Sequence, residues 1–131
     1  MAFDPWSQTY GWRSRQYPGG VLGLSDRVLS NVQEANELCS ISAGFFRLAR
    51  SMMIPVAIEN PHCSRLWSMP AWSQILRRSD IDIAVLDYCA CGMLWRKRTR
   101  FVSANVVLSH LVFQCHGTEV CDFTGKPHIC F

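Results

Sequence analysis

The stretch Pro55-Val-Ala-Ile58, followed at once by Glu59-Asn60-Pro61, constrains this chain more than any other. A short, continuous apolar run that stops abruptly at polar residues predicts a strand buried on both faces, as in a parallel sheet. Its polar end predicts a turn at the carboxyl edge, where open α/β sheets bind ligands. Glu59 there could accept hydrogen bonds or hold a proton, and Asn60 offers both a donor and an acceptor. The plainer alternative is a turn that ends a strand with a solvated glutamate.

The elements around this strand suit the same fold class. Upstream, Ser25-Asp26 predicts a helix start, with Ser25 as cap and Asp26 at the positive helix end. Apolar residues then recur at helical spacing from Val28 to Met52, with Gly44 as a possible kink. Downstream, Pro70 opens a second helix, Ile81 to Tyr88 form a second strand, and Thr99 to Val107 a third. The order helix, strand, helix, strand, strand predicts an α/β fold, read as the second half of an open, mostly parallel sheet with flanking helices. Residues 1–24 are read as irregular, 25–111 as the α/β domain, and 112–131 as a Cys- and His-rich tail. With 131 residues there is room for one domain at most, and the strands that would precede this half are missing. The chain is therefore expected to be too short for a complete enzyme.

Composition narrows the class further. No run of about 18 apolar residues occurs, so no membrane span is expected, and Met1 to Tyr10 lacks a secretory signal pattern. An intracellular protein is expected. Seven cysteines then read as free thiols or metal ligands rather than as a disulfide framework. The net charge of +3 is mild and is concentrated once, at Arg96-Lys97-Arg98 and Arg100. In an extended chain Arg96, Arg98 and Arg100 would share a side, a row suited to successive phosphates, with Trp95 able to stack on a base. A solvated edge strand is the alternative. Cys115, His116, Cys121, His128 and Cys130 hold enough donors for a tetrahedral zinc site, though their spacing fits no common finger. Cys89 and Cys91 lie nearby in sequence with one residue between them.

Two of these stretches together resemble a family. Pro55-Val-Ala-Ile-Glu-Asn-Pro61 is similar to the Glu-Asn strand end of DNA cytosine-5 methyltransferases. Tyr88 to Phe101, with Gly92 and Arg98-Thr-Arg100, resembles their later glycine turn and paired-arginine motif. The stretch from Pro18 to Asn36 looks like the helix-bearing segment of divergent, phage- or mobile-element-like members. The resemblance implies a Rossmann-like fold, S-adenosylmethionine as cofactor and DNA as partner, with a flipped cytosine as substrate. It gives Glu59, with Asn60, the base-activating role and places Arg98 and Arg100 against the target nucleotide. The family's glutamine position is occupied by Trp95 or Arg96. Its glycine-rich cofactor loop and Pro-Cys nucleophile have no counterpart here, so the cofactor-binding residues are unknown. The expectation is a truncated methyltransferase-like domain, inactive alone, that pairs with a chain carrying the missing half. The alternative from another class is a small nucleic-acid-binding module, stabilised by zinc, that binds DNA weakly and without sequence preference.

Overall fold

The computed structural model describes residues 11–14 and 16–129. A long helix, α1 (Asp26–Ser51), leads into β1 (Val56–Pro61), a short 3-10 turn and helix α2 (Pro70–Leu76). Strands β2 (Asp82–Asp87) and β3 (Arg98–Ala104) follow. The mixed α/β class is as expected, but the parallel Rossmann-like sheet is not found. The three strands are ordered β1-β3-β2, and β3 runs antiparallel to both neighbours.

The reason lies in the connections. A parallel pair needs a crossover of a dozen residues or more, usually helical. Between β2 and β3 the chain has only residues 88–97, tightened by a 3-10 turn (Tyr88–Cys91) and by Gly92 in the left-handed region at φ 88°. This link can only reverse direction. The β1–α2–β2 portion keeps a helical crossover, and β3 slips between its two strands. β1 is thus an edge strand with alternating exposure, not a central strand buried on both faces. Glu59-Asn60-Pro61 lies within that strand rather than beyond its end.

α1 runs unbroken through Gly44. Ser25 occupies the cap position, but its side chain makes no capping bond. The far end of α1 is closed instead by Asn105, whose Nδ2 donates to Arg50 O at 3.0 Å and Ile54 O at 3.1 Å. Asn105 adopts φ 59°, a left-handed conformation that asparagine tolerates better than most residues.

The core lies between one sheet face and the two helices. Cys39, Ala43 and Phe46 of α1 meet Trp67, Met69, Trp72 and Ile75, with Val102 and Ala104 from β3. Trp72 takes an edge contact from Phe46 at 5.3 Å and another from Trp67 at 6.0 Å, each worth about 1 kcal/mol beyond burial. Trp67 Nε1 also donates to Pro61 O at 2.8 Å, which fixes the end of β1 against this core. Among the described residues no helix is long and apolar enough to cross a membrane.

Candidate metal centre

Three chain segments converge beside the end of β2. Cys89 sits in the 3-10 turn that follows Asp87, and Gly92 N–H closes the turn on Cys89 O at 3.1 Å. Cys115 is placed by its own backbone, whose N–H donates to Asp87 Oδ2 at 2.8 Å. Cys121 and His128 come from the last loop, held by the isolated bridge Val120–Pro127 and by His128 N–H to Glu119 O at 2.7 Å. The three sulfurs and one imidazole nitrogen all lie within 4.8 Å of one another, a group that could hold a metal ion. All three cysteines are almost wholly removed from solvent, while His128 is half-buried.

The loop geometry aims the donors inward. Gly125, at φ 65°, lets the chain from Cys121 turn back, with Gly125 N–H on Cys121 O at 2.8 Å and Cys121 N–H on Lys126 O at 2.9 Å. Gly117 is required for a different reason: a β-carbon there would lie 1.8 Å from Val120 O. Asp122 Oδ2 accepts from His116 N–H at 2.6 Å and Gly117 N–H at 3.0 Å, which tightens the same loop. His128 Nδ1 faces Thr118 O at 3.5 Å and Nε2 faces Cys115 Sγ at 3.7 Å. A proton on Nδ1 leaves the Nε2 lone pair for a ligand, the usual arrangement behind a metal-bound histidine.

The thiols do not share their protons evenly. Burial, reinforced by hydrogen bonds with Cys121 and Cys115, pushes the Cys89 thiol up to about 12. Burial would also raise Cys121, but the Thr124 hydroxyl and the Phe123 and Thr124 amides outweigh it and hold Cys121 down to about 6. A cation bound here would have to displace the proton of Cys89, the thiol whose pKa is raised.

This centre corrects the sequence expectation in its membership. Cys115, Cys121 and His128 belong, and Cys89 joins them from the 3-10 turn after β2. His116 contributes only its backbone, Cys91 is exposed, and Cys130 lies outside the described residues.

The basic segment is not an open row of phosphate ligands. Arg98 spends its guanidinium on the fully buried Asp87, with Nε–Oδ1 at 3.0 Å and Nη2–Oδ2 at 2.9 Å. Arg96 reaches the same carboxylate at 3.5 Å and donates to Gly117 O at 3.0 Å. Arg100 lies over the Trp67 ring at 5.3 Å, with Nη2 3.4 Å from His62 Nδ1. Lys97 pairs with Glu59 at 3.4 Å and sits 5.1 Å over the Tyr88 ring. Burial would raise Asp87, but Arg98 and the Cys115 amide overcome it and hold the carboxyl below its usual range. Trp95 is half-buried at the start of this segment.

The β1–β3 register sets Asn60 opposite Arg100 and Glu59 opposite Phe101, so the two stretches separated in sequence are neighbours in space. Asp87 has no place in the sequence-level site, yet it is the residue that joins the basic strand to the cysteines. Its only advance signal was an acidic residue ending the apolar run 83–86. No family model, curated protein or solved structure matches this chain.

Proposed function

We propose that this chain is a zinc-stapled α/β module that binds nucleic acid through the segment Trp95 to Arg98. The observation that carries the reading is Asp87. One buried carboxylate receives the Cys115 N–H and the Arg98 guanidinium together, so whatever orders the cysteine centre also orders the basic strand. Three thiol sulfurs with one imidazole form a soft set of four donors, of the kind that favours tetrahedral zinc. Ligand atoms around tetrahedral zinc stand about 3.5–4 Å apart, given Zn–S near 2.3 Å and Zn–N near 2.0 Å. The spread within 4.8 Å here would have to close by less than about 1.5 Å to reach that geometry. A closed four-ligand set without an open position is a structural site rather than a catalytic one.

Four cations, at 96, 97, 98 and 100, surround two carboxylates, at 59 and 87, which leaves a local positive surplus. Lys97 has a more exposed side chain than Arg96 or Arg98, at 43% against 31 and 35%. With Arg98 engaged by Asp87 and Arg100 by Trp67, about two or three phosphate contacts remain, so log affinity should fall against log salt with a slope of about −2 to −3. Fluorescence anisotropy with a labelled DNA duplex tests this. The zinc-loaded chain should bind weakly and release with salt, and chelation should abolish binding. Binding of equal strength before and after chelation would break the link through Asp87, and no binding at all would remove the reading.

A second reading keeps the resemblance to cytosine-5 methyltransferases, because Asn60 and Arg100 are register partners. On it, Glu59, Asn60, Arg98 and Arg100 belong to the target-base half of a site, and S-adenosylmethionine would be held by another chain. A duplex carrying a fluorescent cytosine analogue should then brighten on binding, and Glu59→Gln should remove the change while zinc is retained. Bound DNA without any change in the analogue eliminates this reading.

A further inference from the structure

α1 is apolar on two opposite faces, and among the described residues only one of them is covered. Its inner stripe, Val32, Cys39, Ala43 and Phe46, is buried. About 150° around the helix, at 100° per residue, run Leu38, Ile41, Phe45, Leu48 and Met52. These five are 61, 54, 68, 54 and 60% exposed. Their spacing alternates three and four residues, the a/d repeat by which two helices interlock. We propose that this outer face is a self-docking surface, on which a second copy of the chain lays its own α1 in the antiparallel sense.

Three observations select a second copy as the occupant. The first is area. With a bare large apolar side chain presenting about 200 Å², the five leave on the order of 600 Å² open, the upper end of what a monomer carries without a partner. Pairing two such faces buries about 1,200 Å², the lower bound of a specific interface. The second is self-complementarity. Between Leu38 and Met52 the stripe carries no charge, since Arg47 and Arg50 lie on the other side of the helix, bonded to Ala71 O with Gln74 and to Asp80 respectively. Ala35, Ser42 and Ala49, spaced by seven, flank the stripe on one side, with Gly44 and Ser51 on the other, so two helices can approach closely. The third is direction. Arg27, Glu34 and Glu37 continue the same face towards the N-terminal end of α1. A parallel pair would set each of these against its own copy, whereas an antiparallel pair separates them. The register that overlaps the stripes best sets Ile41 against the other copy's Phe45, and Leu38 against its Leu48. Such a pair is isologous and closes on itself as a dimer.

The test is the solution mass of the full, metal-loaded chain by sedimentation equilibrium across micromolar to sub-millimolar concentration. A monomer–dimer equilibrium is expected. Phe45→Glu, at the most exposed of the five positions, should weaken dimerisation 100-fold or more with an unchanged circular dichroism spectrum. Leu38→Glu and Leu48→Lys should each give monomers, and the two combined in one chain should restore the dimer, because glutamate then meets lysine only in the antiparallel register. A wild-type chain that stays monomeric throughout the range overturns the proposal and assigns the stripe to a different chain. A dimer that survives Phe45→Glu, or a double variant that stays monomeric, overturns it equally.

Discussion

Arg98 and Asp87 face each other across the β2–β3 pair, joined by two hydrogen bonds of 3.0 and 2.9 Å with the carboxylate closed to solvent. The same carboxylate takes the Cys115 amide, so one residue ties a strand, a basic side chain and a cysteine loop. Asp87→Asn keeps the shape and removes the charge. A broken buried pair costs about 3–5 kcal/mol, and the partial exposure of Arg98 lowers the expected loss to about 2–3 kcal/mol. Urea unfolding of the metal-loaded protein should show it as a lower midpoint at equal slope. An unchanged midpoint would mean that Asp87 holds nothing together.

Gly117→Ala tests the loop that carries the ligands. Its new methyl group would collide with Val120 O, a backbone atom that cannot step aside without moving Cys121. Metal affinity should fall about 10–100-fold, the range found when the support behind a ligand is lost. Competition against a chromophoric chelator measures it. Unaltered affinity would show that the loop has slack.

His62 gives the fold a pH dependence of predictable sign. Burial first, then the nearby charges of Arg100 and Arg98, lower its pKa below the ordinary value of 6.5. The folded protein thus prefers neutral His62, and this stabilising preference is present above about pH 6.5. As pH falls below 6.5 the unfolded chain takes up the proton first, and stability is lost until the folded pKa is passed. His62→Gln should flatten that part of the stability curve, and imidazole resonances should place His62 below the ordinary value. A titration at or above 6.5 would contradict the packing against Arg100.

The strand Val56–Ile58 was legible because a short apolar run between a proline and a polar triplet has few other uses. Its environment was not, since such a run is equally compatible with one buried face. What decided the sheet was the short link from β2 to β3 and the left-handed Gly92, whose effect depends on which strand lies beside which. The basic row was visible, but its neutralising partner Asp87 lies eleven positions before Arg98 and meets it only through strand pairing. Likewise Cys115, Cys121 and His128 stand close in sequence, whereas Cys89 reaches them because β2 ends where their loop folds back. Short-range chemistry could be read directly, and contacts set by strand register could not.

The central claim is the metal centre, and the most direct measurement is the metal content and coordination of the purified full chain. Native mass spectrometry should find one zinc per chain, and X-ray absorption should find three sulfurs and one nitrogen around it. Cys121→Ser and His128→Ala should lose the metal, while Cys91→Ser, at an exposed cysteine, should retain it. A chain purified without stoichiometric metal that fails to take up zinc on addition, and whose thermal unfolding is the same with and without chelator, would contradict the account.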